Sequence, residues 1–177
     1  GPSRLKLPSL AVDLEGGAVE SFRGSLNLRR AEAQVEATFA QKGRRSLRVW
    51  LASDEDVLVV EGASGLSATP RGWDLESLPL LQKWGYRGAS RRKEGGFIWL
   101  NQEFDERAAL LAVLERSGVL LATISVINRD EIPAMQTALM DRLERFDGAL
   151  EARRARHRRE WRHYWDASGI RIPDPQL

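Results

Sequence analysis

The hydrophobic period of this chain changes once, near residue 128, and that change limits the folds open to it. Before it, apolar residues recur every second position. After it, they recur every three to four. The clearest alternation runs from Ala31 to Phe39. Ala31, Ala33, Val35, Ala37 and Phe39 point one way; Glu32, Gln34, Glu36 and Thr38 point the other. That is the pattern of an antiparallel strand with one buried and one wet face. Val19 to Leu28 repeats it through Phe22, Leu26 and Leu28, and Arg29-Arg30 turns it into the next strand. Arg45 to Ala52 alternates Leu47, Val49 and Leu51, with Trp50 on the opposite face. Ser53-Asp54-Glu55-Asp56 reads as a solvated turn before a short apolar strand, Val57 to Val60.

Residues 62 to 96 are punctuated by glycine and proline and keep no period, so they read as a long irregular excursion with room for one short strand. Strands resume at Phe97 to Phe104, Ala108 to Leu114 and Val119 to Val126. Arg116-Ser117-Gly118 forms a hairpin turn between the last two. Then the period switches. Asp130 is placed to cap a helix and Pro133 sits in its first turn, where a missing N–H costs nothing. Met135, Leu139, Leu143, Phe146 and Leu150 form an amphipathic stripe. Gly148 marks a kink or break, since glycine costs about 1 kcal/mol against alanine inside a helix. His157, Trp161 and Trp165 carry the stripe on, and Gly169 ends it. The expected fold is mainly β: an antiparallel β-sandwich followed by a long C-terminal helix. Residues 1–3 read as a tag remnant, 4–127 as the sandwich, 128–168 as a linker helix broken near 148, and 169–177 as an extended start of a further domain. No internal repeat is visible.

Composition removes several chemistries. The 177 residues contain no cysteine and two histidines, His157 and His163. Disulfides, thiolate metal sites and cysteine nucleophiles are excluded, and no metal site or cofactor is expected. No apolar run approaches the roughly 20 residues that cross a membrane. Missing cysteines fit the cytoplasm and bacterial secretion equally. Formal charge is +2, yet the stretch from Glu151 to His163 holds six arginines and two glutamates. The body is therefore mildly acidic and one segment is basic. An Arg-rich helix suggests phosphate backbones or anionic lipid, but its interleaved aromatics and the small total charge argue against both.

Four aromatics, Trp73, Trp84, Tyr86 and Trp99, are candidates for stacking on sugar faces. Carboxylates cluster at Asp54-Glu55-Asp56 and at Glu103, Asp105 and Glu106, but nothing singles out a pair spaced for glycoside hydrolysis. There is no phosphate loop, nucleophile elbow or metal motif.

One segment carries a resemblance. His157-Arg-Arg-Glu-Trp161-Arg-His-Tyr164-Trp165-Asp-Ala-Ser168-Gly-Ile170-Arg-Ile172-Pro173-Asp174-Pro-Gln-Leu177 resembles the stretch where a linker helix enters the barrel in bacterial glycoside hydrolases with an (α/α)6 catalytic domain. Phe22 to Leu28, Ala31 to Thr38 and Arg48 to Glu61 resemble strands of the N-terminal β-sandwich in the family 95 α-L-fucosidases and their relatives. They depart at Gly24 and Asn27, where that pattern has a bulky residue and Asp. The resemblance implies a non-catalytic N-terminal module that supports and walls a barrel lying beyond this chain. Catalytic carboxylates would belong to that barrel, so none is assigned here. His157, Trp161, Tyr164, Trp165, Pro173 and Asp174 would be domain-docking residues. An apolar docking face left bare would drive dimerisation. Two other readings remain: a free-standing carbohydrate-binding module, and a nucleic-acid or scaffold protein using the Arg-rich helix.

Overall fold

The structure, a computed structural model, describes residues 7–52, 54–62, 65–73, 79–84 and 86–169. It is mainly β, with antiparallel sheets followed by C-terminal helices. Ten strands run β1 (Ser9–Leu14), β2 (Val19–Asn27), β3 (Glu32–Phe39), β4 (Gly43–Ala52), β5 (Val57–Gly62), β6 (Leu66–Arg71), β7 (Ser90–Glu94), β8 (Phe97–Phe104), β9 (Arg107–Arg116) and β10 (Val119–Asn128). Helices are α1 (Pro79–Lys83), α2 (Ile132–Asp147) and α3 (Leu150–Ser168).

Eight strands form one sheet in the order β2-β3-β4-β5-β10-β9-β8-β7, and β1 pairs with β6 in a separate ribbon. Each half of the chain contributes one ribbon strand and a four-strand meander. The halves meet where β5 pairs with β10 and β1 with β6. The architecture thus repeats although the sequence does not. The β9–β10 turn needs its glycine: Gly118 has φ +74°, and a Cβ there would sit 2.8 Å from the Gly62 carbonyl oxygen.

The sheet is covered on both faces. On one, Trp50, Val59, Phe97, Trp99, Leu110 and Leu121 meet Leu139, Leu143 and Phe146 of α2. On the other, Val60, Leu100, Leu111, Val113 and Leu120 meet Ala68 of the ribbon, with Leu10, Val12 and Leu66 packed alongside. Covering on both sides explains why β9 reads as a continuous apolar run rather than an alternation; Ala108 to Leu114 are all buried.

Several expectations need correction. Among the described residues, the excursion at 62 to 96 holds two strands and a short helix. The β7 strand, Ser-Arg-Arg-Lys-Glu, is exposed throughout and has no apolar period to read; it is a charged edge of the kind that blocks further pairing. Asp130 does not cap the long helix. It lies inside a 3-10 turn, Arg129–Glu131, whose Glu131 carboxylate accepts the Asn128 N–H at 2.9 Å. The strand at the opposite edge, β2, has no buried face. Phe22 is 70% and Leu26 64% exposed, because the ribbon does not extend over them.

Candidate functional site

Two places collect functional side chains, and both lie at the same end of the sheet. The β2–β3, β4–β5 and β8–β9 turns and the C-terminus of β10 share that end by the strand registers.

The first is a cleft of about 560 Å³ lined by Trp84, Tyr86, Arg87, Glu103, Asp105 and Arg129. Its carboxylates come from the end of β8 and the β8–β9 turn, where Asp105 takes φ +56°, a left-handed conformation that aspartate tolerates. Its aromatics come from the segment that returns from the ribbon. Gln102 holds that segment in place. It is fully buried, its Oε1 accepts the Trp73 N–H at 2.7 Å, and its Nε2 donates to the Arg87 carbonyl at 2.8 Å. One side chain thus pins both ends of the stretch from 73 to 87 to β8. The two ends pass so closely that a Cβ on Gly72 would lie 2.2 Å from Ala89 Cβ and 2.7 Å from Gln102 Oε1. Behind the rim, the Trp73 ring lies edge-on to Tyr86 at 5.6 Å and tilted to Phe104 at 5.8 Å.

Within the cleft, Glu103 Oε2 lies 2.9 Å from Arg129 Nη2 and 3.9 Å from Arg87 Nη1, and its Oε1 accepts from Asn101 Nδ2 at 3.3 Å. Oε2 lies beside two cations yet is buried without a hydrogen-bond partner among the described residues, so it keeps accepting capacity for a ligand hydroxyl or N–H. Trp84 is 64% exposed and offers a ring face at the rim. An exposed indole beside guanidinium and carboxylate groups is chemistry for a polar ligand with apolar faces.

Of the four aromatics expected to stack on sugar, Trp84 and Tyr86 line this cleft and Trp73 backs it. Trp99 does not belong. It is 3% exposed, stacked on Phe97 at 5.9 Å within the core facing α2, so neither of its faces is free. It lies on the opposite face of β8 from Gln102, a consequence of strand parity.

The second place is the seat of α3. His157 is 5% exposed, its ring 4.9 Å from that of Trp50, and its Nε2–H donates to the Arg30 carbonyl at 2.8 Å. Trp165 donates its indole N–H to the Leu28 carbonyl at 2.6 Å. Trp161 and Trp165 are half-buried, whereas Tyr164 is 56% exposed. Most of the aromatic stripe therefore packs on this chain's own β2–β3 turn. Pro173 and Asp174 lie outside the described residues.

The arginines of α3 also turn inward. Arg153 pairs with Glu55, Arg154 with Glu61, Arg156 with Asp54 at 3.0 Å, and Arg158 with Glu32 at 2.6 Å. Hence the Asp54-Glu55 turn is not simply solvated, and Glu32 is not on a wet face: it is 7% exposed beneath the helix. The Glu32 carboxylate, bonded to its Nε, holds the Arg158 guanidinium above its ordinary value. Burial pulls Arg154 below its own, and the charges of Arg48 and Arg158 add to that shift. Sequence alone did not reveal these pairs, but the matching surplus of acid in the body and base in the helix was their signal.

Among the described residues no group of His, Cys, Asp or Glu is arranged to hold a metal ion. No helix there is long and apolar enough to cross a membrane. No protein-family model matches this chain, and no curated protein does.

Proposed function

We propose that this chain is a non-catalytic β-module of a carbohydrate-active enzyme, in which the end of the sheet bearing the cleft abuts and partly walls an (α/α)6 catalytic domain. The observation that carries this reading is a convergence. The aromatic-rimmed cleft and the end of α3 emerge at one end of the sheet. A domain following α3 is therefore delivered to the end where Trp84 and Tyr86 stand. The resemblance of the stretch after His157 to a barrel entry supports the same arrangement. The ion pairs and the His157 and Trp165 anchors make α3 part of the module rather than a loose tether, which is what a wall needs.

The cleft also suits a second reading, a free-standing carbohydrate-binding module, since Trp84 stands 64% exposed at its rim. Nucleic-acid binding is the least favoured, because four of the six helix arginines already face carboxylates.

Activity and binding assays test the proposal together. The 177-residue chain is expected to hydrolyse no chromogenic aryl glycoside, and reproducible turnover would overturn the non-catalytic role. On a panel of neutral oligosaccharides, the first reading expects only weak binding, with Kd above about 1 mM, abolished in Trp84→Ala. Tight saturable binding that depends on Trp84 selects the free-standing module instead. No binding to any sugar removes the sugar contact from both.

A further inference from the structure

A pocket of about 340 Å³ opens between the β2–β3 turn and the last turns of α3, lined by Arg29, Arg30, Arg158, Arg162, Trp165 and Asp166. Four arginines and one aspartate line it, and one of the four, Arg158, is already bonded to Glu32. The contrast with the rest of the helix is instructive. Arg153, Arg154, Arg156 and Arg158 each have an acidic partner on the sheet. Beyond Arg158 that provision stops at the pocket: the side chains of Arg29, Arg30 and Arg162 pair with no carboxylate among the described residues. Arg159 is also unpaired and, like Arg29, Arg30 and Arg162, exposed, but it lies outside the pocket.

A helix C-terminus favours nearby cations, and this accounts for Arg162. It does not account for Arg29 and Arg30, which belong to another element. Three unpaired arginines against the single Asp166 leave a surplus of positive charge, and although water screens exposed groups, a bound anion would relieve their repulsion. The backbone of the turn and the side chains of Trp165 and Arg158 are also fixed in advance. Leu28 and Arg30 are held through their carbonyls by Trp165 and His157, Ala31 closes the turn with φ +46°, and Arg158 is tied to Glu32. Rigid walls lower the cost of ordering on binding. The volume falls at the low end of the range for small-molecule sites, about 300–1,000 Å³.

We propose that this pocket binds a compact, multiply charged oxyanion, a phosphate or polycarboxylate group, through Arg29, Arg30 and Arg162, with the Trp165 ring as one wall. Guanidinium forks match the paired oxygens of both chemistries. The site is separate from the aromatic cleft and does not depend on the carbohydrate reading.

The test is a titration of the full chain with sodium phosphate, and separately with sodium citrate, at constant ionic strength balanced with chloride. The Trp165 indole N–H resonance and the thermal midpoint are followed. Saturable one-to-one binding by at least one of the two is expected. It should move that resonance and raise the midpoint, and weaken at least about tenfold in Arg29→Gln/Arg162→Gln. Response to phosphate alone identifies a phosphate ligand; response to citrate alone identifies a carboxylate ligand. Arg159→Gln, which leaves the pocket intact, controls for general charge and should bind as the unaltered chain does. A response no different from that to chloride overturns the proposal, as does unchanged affinity in the double variant.

Discussion

His157 shows how much a single side chain can contribute where the sequence allowed several roles. Its ring fills space against Trp50 and its Nε2–H satisfies the Arg30 carbonyl. Replacing it leaves a cavity and an unpaired carbonyl. His157→Ala is expected to lower stability by about 2–4 kcal/mol, read from the urea midpoint at unchanged slope. A loss below about 0.5 kcal/mol, the scale of ordinary surface substitutions, would show that the histidine is not an anchor. Glu32 makes the complementary point. Alternation along its strand placed it correctly opposite Ala33. Its burial was not legible, because the group that covers it, Arg158, comes from 126 residues away. Trp99 likewise has the residue type of a sugar platform and the position of a core residue.

At the scale of elements, exposure separates residues that the pattern treats alike. Phe22 on β2 and Phe146 on α2 each continue an apolar stripe in their own period. Phe22 is 70% exposed on an edge strand, and Phe146 is fully buried 6.0 Å from Trp50. Phe146→Ala is expected to cost about 3–5 kcal/mol, and Phe22→Ala to stay within about 0.5 kcal/mol. Equal losses in denaturant unfolding would contradict this assignment of the core. The two edges of the sheet also differ: β7 presents Arg91, Arg92 and Lys93, whereas β2 presents Phe22 and Leu26. Three strands are not read from the sequence: β7, β6 and β1, the last despite its alternating Leu10, Val12 and Leu14, because that run is only six residues long. The edge strand β7 needs no buried face, and the ribbon strand β6 sits among glycines and prolines that read as loop.

At the scale of the molecule, α2 and α3 are not an appendage. Leu139, Leu143 and Phe146 share one core with Trp50 and Leu121, and the arginines of α3 bind carboxylates on β3, β5 and the β4–β5 turn. Helix and sheet should therefore unfold together. Helical ellipticity and tryptophan fluorescence are expected to give coincident denaturation curves; a helix signal lost at lower denaturant would show an independent linker. By itself the sequence determined the two hydrophobic periods, the hairpin at Gly118 and the position of the switch from strand to helix. These follow from φ/ψ preference and side-chain spacing over a few residues. The tertiary structure alone decided which aromatics are core and which rim the cleft, and which arginines are neutralised and which line an open pocket. Those outcomes rest on partners as far apart in sequence as Trp165 and Leu28, 137 residues, and no local period encodes what a chain meets when it returns across its own sheet.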